Sequence, residues 1–386
     1  MTDLAAEARA AAEQLFAWAK DRNFEGYDPY DALNSPIVRA AAFGTRWGRI
    51  AWTQLLRRSP VNLRPLLGIK PGANPKALGL FLESSVKLGD RAAAESLVDR
   101  LAALRSPNAP GAAWGYNFPW QNRFQLLPRL TPTAVNTAFI GHALLDCYDA
   151  FQMRRALELA LATADFFLVA LRRKPDEDGA FCFSYTPLDG NYVHNANVLA
   201  ASLLARLAAR HGVEKAREPA LNALEYTLRR QRPDGSWFYA ERQEQRWIDS
   251  FHTGFVLEAL RRFLNLGMAD GAAGAYRKGV EFYAENFFLT DGTPKYYCDR
   301  LYTVDIHAPA EAVCFFSGAG PEYRALADRV LLWTLRNMRD ARTGVFYYRK
   351  SRLWTIKTPY MRWSQAWSLR ALAEYITQTN AERKSE

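Results

Sequence analysis

In the stretch WIDSFHTGF, Asp249 and His252 stand three positions apart, just ahead of a run of apolar residues. In TVDIHAPAEA, Asp305 and His307 stand two apart in the same setting. A carboxylate beside an imidazole is the raw material of general acid–base chemistry near neutral pH. Asp at the head of a helix has a second use, because it accepts hydrogen bonds from free backbone N–H groups and offsets the helix dipole. The two uses are compatible. Whether the first applies depends on what else gathers at the same place.

Other polar heads do recur. Tyr192, His194 and Asn195 precede one apolar run, Thr133 and Asn136 another, and Tyr360, Arg362, Trp363 and Gln365 a third. Three of the five His thus occupy equivalent positions. Most heads follow a turn and a cluster of aromatics: DGAFCFSY from Asp178, DGSWFY from Asp234, DGTPKYY from Asp291 and TGVFYY from Thr343. A looser copy, WGYNFPWQNRF, starts at Trp114. The apolar runs begin near Asn74, Thr131, His194, Asp249, Asp305 and Tyr360, 55 to 63 residues apart. A fixed period of this kind marks a repeat architecture.

The runs themselves, such as NANVLAASLLARLAAR, carry broad apolar faces rich in Ala and Gly, as buried helices do. Between them lie amphipathic segments at 91–104, 151–173, 213–231, 270–287 and 321–338, with a single apolar stripe each. Stretch 37–58 supplies an outer helix ahead of Asn74. The pattern predicts an all-α chain: an (α/α)6 toroid of six helical hairpins in one domain spanning 1–386. Residues 1–36 form an N-terminal helix and lead-in, 37–377 the six hairpins, and 378–386 a tail. The inner helices run parallel, so their N-termini open on one face, with short β-hairpins or loops around that mouth.

That mouth defines the candidate site. Asp249, Asp305, His252 and His307 are the candidate catalytic groups. Asn117, Trp120, Arg123, His194, Asn195, Trp237, Trp247, Arg300, Tyr302, Tyr360, Arg362 and Trp363 are the candidate binding groups. Flat rings interleaved with amides and guanidinium groups, as in GYNFPWQNRF, suit a pyranose: rings stack on its C–H face and polar groups bond its hydroxyls. Arg123, Arg300 and Arg362 could pair with a uronate or pyruvyl carboxylate.

Composition narrows the classes. Hydrophobic residues make up 49% and charged residues 23%, a globular balance. Net charge is +10, but the Arg are scattered along helices and no nucleic-acid motif appears, so no nucleic-acid partner is expected. Cys147, Cys182, Cys298 and Cys314 have no metal-like spacing, so neither metal nor cofactor is expected. The acidic amphipathic start, MTDLAAEARAAAEQLFAWAK, does not read as a signal peptide, and no run reaches the ~20 apolar residues of a membrane span. A soluble, cytoplasmic protein is expected.

The repeat and its DG-aromatic helix heads resemble the six-hairpin glycosidase superfamily, over nearly all the chain from residue 37. That grouping includes unsaturated-uronyl hydrolases, endoglucanases, polysaccharide lyase domains and sugar 2-epimerases. GYNFPWQNR, WIDSFHTGF and TPYMRWSQAW are similar to segments of bacterial proteins encoded with exopolysaccharide-synthesis genes. The resemblance implies an oligosaccharide or polysaccharide ligand, and peripheral association with a polysaccharide-synthesis complex. LEYTLRRQRPDGSW also resembles the Gln-Trp repeat of triterpene cyclases, but the Asp-rich protonating motif those enzymes need is missing.

Three readings follow. In the first, a glycoside hydrolase uses Asp249 as general acid and Asp305 as base, on helices roughly 8 to 10 Å apart, which fits inversion. In the second, an epimerase or lyase uses His194, His252 and His307, assisted by Tyr302 or Tyr360. In the third, the chain binds or scaffolds a polysaccharide without chemistry, and Asp and His only cap helices.

Overall fold

The computed structural model describes residues 4–122 and 125–385. Its helices are α1 (Leu4–Lys20), α2 (Pro36–Ala41), α3 (Arg46–Arg58), α4 (Pro75–Lys87), α5 (Arg91–Ala103), α6 (Ala134–Phe151), α7 (Arg154–Asp165), α8 (His194–His211), α9 (Arg217–Leu228), α10 (Ser250–Asn265), α11 (Ala273–Asn286), α12 (His307–Phe316), α13 (Arg324–Asn337) and α14 (Trp367–Ser385). A π-helical turn, Met361–Ala366, leads into α14. Short antiparallel strands pair at the loop ends: β1 (Glu25–Gly26) with β2 (Gly72–Ala73), β3 (Trp120–Gln121) with β4 (Leu126–Leu127), and β5 (Arg173–Pro175) with β6 (Phe181–Phe183). The last sheet orders β7 (Val304–Asp305), β8 (Arg349–Lys350) and β9 (Thr355–Ile356).

Helices α4, α6, α8, α10, α12 and α14 contact one another in that order, and α14 closes on α4. They are the inner ring. In α6 and α8 nearly every residue is buried through the first three turns, as their broad apolar faces require. The residues expected to head these helices do so. Asn74, Thr133 and Asp249 each accept a backbone N–H at the N-terminus of α4, α6 and α10. The (α/α)6 toroid read from the period is therefore the fold observed.

One assignment differs. Segment 37–58 is not an outer helix. The sixth outer helix is α1, which packs on α14, with Arg9 bonding Asn380 and Gln14 bonding Arg339. The glycine turns show the closure directly. A Cβ on Gly235 would stand 2.3 Å from the Lys278 carbonyl of α11, and one on Gly344 would stand 2.6 Å from Gln14 Cγ of α1. Each turn thus docks on the outer helix that follows it around the ring, and α1 takes the last turn. The reason is pattern. Ala8, Ala11, Ala12, Leu15, Phe16 and Ala19 give α1 a continuous small apolar face, whereas α3 carries Arg46, Arg49, Arg57 and Arg58 and buries only Thr53 and Leu56. Helices α2 and α3 instead lie beside β3 and the 3₁₀ turn Asp31–Asn34, across the mouth.

Gly235 combines a backbone φ of +89° with this close approach. Gly235→Ala should therefore lower stability by more than about 1 kcal/mol, through strain and the displaced α11 carbonyl. A urea titration with unchanged slope and a lower midpoint would show it; an unchanged midpoint would contradict the docking role.

Candidate functional site

The mouth opens into a cavity of about 820 Å³. Its walls are aromatic: Tyr30, Tyr116, Trp120, Tyr185, Tyr239 and Trp247 line it, with Phe251, Phe255 and Trp363 deeper. Tyr239 and Trp247 stack at 4.5 Å and 12°. Helix α3 supplies Arg46, Trp47, Ile50, Gln54, Arg57 and Arg58 to the rim. No sequence pattern pointed to this segment as part of the site, because it stands outside the repeat.

The two carboxylates do not face this cavity. Asp249 has a fully buried side chain. Its Oδ1 accepts the His252 backbone N–H at 3.1 Å, and its Oδ2 accepts from Trp247 Nε1 at 2.9 Å and meets His252 Nδ1 at 2.7 Å. Asp305 is equally buried. Its Oδ1 accepts from Trp363 Nε1 at 2.7 Å and from the His307 backbone N–H at 3.1 Å, while Oδ2 pairs with Arg349 Nε at 2.6 Å. Both carboxylates are occupied as caps and anchors. The acid and base roles expected of them in hydrolysis lack a free oxygen directed at the cavity.

The imidazoles are differently placed. His252 lines the cavity with its Nδ1 held by Asp249, an arrangement that orients the ring and leaves Nε2 as the working nitrogen. His307 lines it too, in a box formed by Phe251 at 4.8 Å, Trp363 at 4.3 Å and Trp367 at 4.7 Å between ring centroids. Neither His307 ring nitrogen has a hydrogen-bond partner among the described residues. Burial holds its pKa well below the ordinary imidazole value, and the Arg362 and Arg349 guanidinium groups add to this. The Phe251 ring lies against both imidazoles, 4.1 Å from His252 and 4.8 Å from His307.

His194 turns into a small side cleft with Trp237, Asp249 and His252, where its Nε2 meets Glu241 at 2.9 Å. The hydrogen bond from His194, against partial burial, draws the Glu241 carboxyl down to about 2. Asn195 borders both spaces, and its Oδ1 has no partner among the described residues.

Of the other expected binding groups, Trp120, Trp247, Arg362 and Trp363 line the cavity. Arg362 is locked by Asp28 through bonds of 2.6 and 2.8 Å. The rest are placed elsewhere. Trp237 is a core ring that donates to the Thr227 carbonyl. Tyr360 is buried under Arg64, whose guanidinium bonds its hydroxyl at 2.7 Å. Asn117 bonds Asn74 at the head of α4. Arg300 is an exposed side chain over the Tyr297 ring, and Tyr302 is 45% exposed; neither lines the cavity. Arg123 lies outside the described residues.

Lys76 was missed. It follows the Asn74-Pro75 cap, ahead of the apolar run Ala77–Leu82, and it lines the cavity between Phe139, Phe255 and Trp367. The available signal was a lone cation in the first turn of a buried helix, where the dipole opposes it.

The different anchoring of the two carboxylates gives a test. Asp305→Asn strands the Arg349 charge and should cost about 3 kcal/mol. Asp249→Asn keeps the capping oxygen and strands no charge, losing only the acceptor of the Trp247 indole, and should cost about 1 kcal/mol. Denaturant midpoints measure both; equal losses would contradict the distinct roles.

A scan against protein-family models finds no match, and neither does a search of curated proteins. Solved structures do match. Cellobiose 2-epimerase from Bacillus thermoamylovorans superposes with a TM-score of 0.65 at 13% identity, over 97% of this chain and 99% of that one. Cellobiose 2-epimerase from Spirochaeta thermophila gives 0.61 at 16% identity, over 81% and 87%. A GH76 α-mannanase from Bacteroides thetaiotaomicron gives 0.59 at 12% identity, over 81% and 87%. At these identities the likeness is one of fold, and the chain shares its helical toroid with sugar epimerases and glycan hydrolases alike.

Proposed function

We propose that the chain is a sugar epimerase or isomerase, acting on the reducing-end sugar of an oligosaccharide by proton transfer next to its carbonyl carbon. The observation that carries this reading is the division of labour in the cavity. Two imidazoles line it, while both carboxylates of the hydrolase reading are buried and bonded to indole, imidazole and guanidinium groups. Proton abstraction next to a carbonyl requires a base that is neutral near pH 7, which imidazole supplies and a lone carboxylate supplies poorly. One imidazole takes the proton from the carbon and the other returns a proton, with His252 oriented by Asp249.

The fold's occurrence in cellobiose 2-epimerases supports the reading. Hydrolysis is less well served. It needs two carboxyl groups flanking the bond, and Glu244, at the exposed edge, is the one carboxylate among the described lining residues. The aromatic walls favour a pyranose chain, and the arginines of α3 suit acidic sugars, in line with an exopolysaccharide fragment as substrate.

In D2O the enzyme should wash one deuterium into C2 of a reducing sugar such as cellobiose or an acidic exopolysaccharide fragment, without shortening the chain. His252→Gln and His307→Gln should each slow that exchange by about 10²- to 10⁴-fold. Because the His307 pKa is lowered, its base form persists on acidification, so its limb in the pH–rate profile should lie below pH 6.5. Shortened fragments without deuterium would mean hydrolysis and would sink the reading.

A further inference from the structure

Lys76 is the one lysine among the residues that line the cavity, and it is only 4% exposed. Its ammonium group has no carboxylate within ion-pair distance among the described residues. The nearest acids act on it from further off: Glu311 of α12 bonds Arg370, and Asp28 of the lead-in bonds Arg362. What surrounds Nζ instead is aromatic, with ring centroids of Phe139 at 4.6 Å, Trp367 at 5.3 Å and Phe255 at 5.5 Å. Lysine is seldom buried this deeply without a partner.

Three physical effects act on the proton it carries. Rings favour the cation. Burial without a counter-ion disfavours it, and so does its place in the first turn of α4, at the positive end of the dipole. The charges facing it from the α14 segment are Arg362 and Arg370, with the neutral His307 of α12 alongside, against the two committed acids. The balance falls against the cation: burial first, then Arg362, lowers the amine well below its ordinary range. A neutral amine in an apolar pocket is a nucleophile.

We infer that Lys76 is a covalent carbonyl-capture site, forming an imine with the aldehyde of an open-chain sugar, or of another small aldehyde, that enters the cavity. The nitrogen lone pair adds to the carbonyl carbon to give a carbinolamine. The C–O bond then breaks, and the oxygen leaves as water with the two hydrogens of the amine. No oxidant or reductant is needed, and hydrolysis returns the amine and the aldehyde. This inference stands on the cavity and the unpaired amine, whichever reaction the imidazoles perform. If they do move the C2 proton, an imine at C1 would make that proton easier to remove.

The test is reductive trapping of the intact wild-type protein with D-glyceraldehyde and cyanoborohydride at pH 7, followed by peptide mass mapping. An ordinary lysine, of pKa about 10.4, is neutral to roughly one part in 2,500 at that pH. Lys76 should therefore be labelled at least about ten-fold faster than exposed Lys70 or Lys384. Lys76→Arg, checked for folding by near-UV circular dichroism, should lose that one adduct and keep the others. Labelling of the exposed lysines with Lys76 untouched would overturn the inference. So would labelling of Lys76 that rises only at alkaline pH, in step with the surface. Deuterium wash-in is read separately, so loss of either result leaves the other interpretable.

Discussion

Six inner helices bring their N-termini to one mouth, and the positive ends of their dipoles are the constraint on everything placed there. Free N–H groups in the first turns must be satisfied. Asp249 and Asp305 meet that need, and their remaining lone pairs go to Trp247, Trp363, His252 and Arg349. The same field opposes cations. An imidazole and an amine buried there without counter-ions, His307 and Lys76, are pushed toward their neutral forms. The mouth therefore consumes its carboxylates as structure and leaves neutral bases facing the cavity. A residue-type reading reaches the opposite emphasis, because Asp looks like the stronger catalytic candidate.

Deeper in the ring the charge balance reverses. Arg370 of α14 is fully buried and reaches Glu83 of α4 at 2.8 Å, Glu258 of α10 at 2.9 Å and Glu311 of α12 at 3.3 Å. One guanidinium thus ties four inner helices across the axis. Burial opposes ionisation of Glu83, but Arg370 and Lys87 overcome it and draw the carboxyl down to about 2. Burial first, and the Glu258 carboxylate second, push Glu311 the other way. A planar fork with five donors suits this three-way contact, where a lysine would not. Arg370 and Lys76 both stand over the rings of Phe139 and Trp367, which link this network to the cavity.

Much of this was legible in the sequence. The period of the helix heads gives the toroid, because each head must start an inner helix and each amphipathic segment between heads must supply an outer one. The mouth followed from the parallel inner helices, and with it the placing of His252, His307, Trp120, Trp247 and Trp363. Other features depend on tertiary contacts that leave no periodic trace. Ring closure by α1 needs the first and last helices to meet, and the heptad-like stripe of Ala8, Ala12, Leu15 and Ala19 does not name its partner. The arginine-rich α3 resembles a surface helix in isolation, and only the fold places it over the cavity. The saturation of Asp305 rests on indole and guanidinium donors distant in sequence, Trp363 and Arg349, and that of Asp249 on the way Trp247 and His252 fold back on it. Tyr360 and Trp237 carry the right chemistry at the right period, yet packing claims them.

The cavity presents a neutral imidazole base, His307, held so by burial, while the carboxylates are spent on structure. Nitrogen-15 NMR of histidine-labelled protein, titrated through the pH range and assigned with His307→Gln, tests it most directly. His307 should stay neutral as the pH falls past 6.5, with its ring signals shifting only in more acidic solution. A His307 that becomes protonated at or above pH 6.5 would contradict it, and would return the acid–base roles to groups other than the buried imidazole.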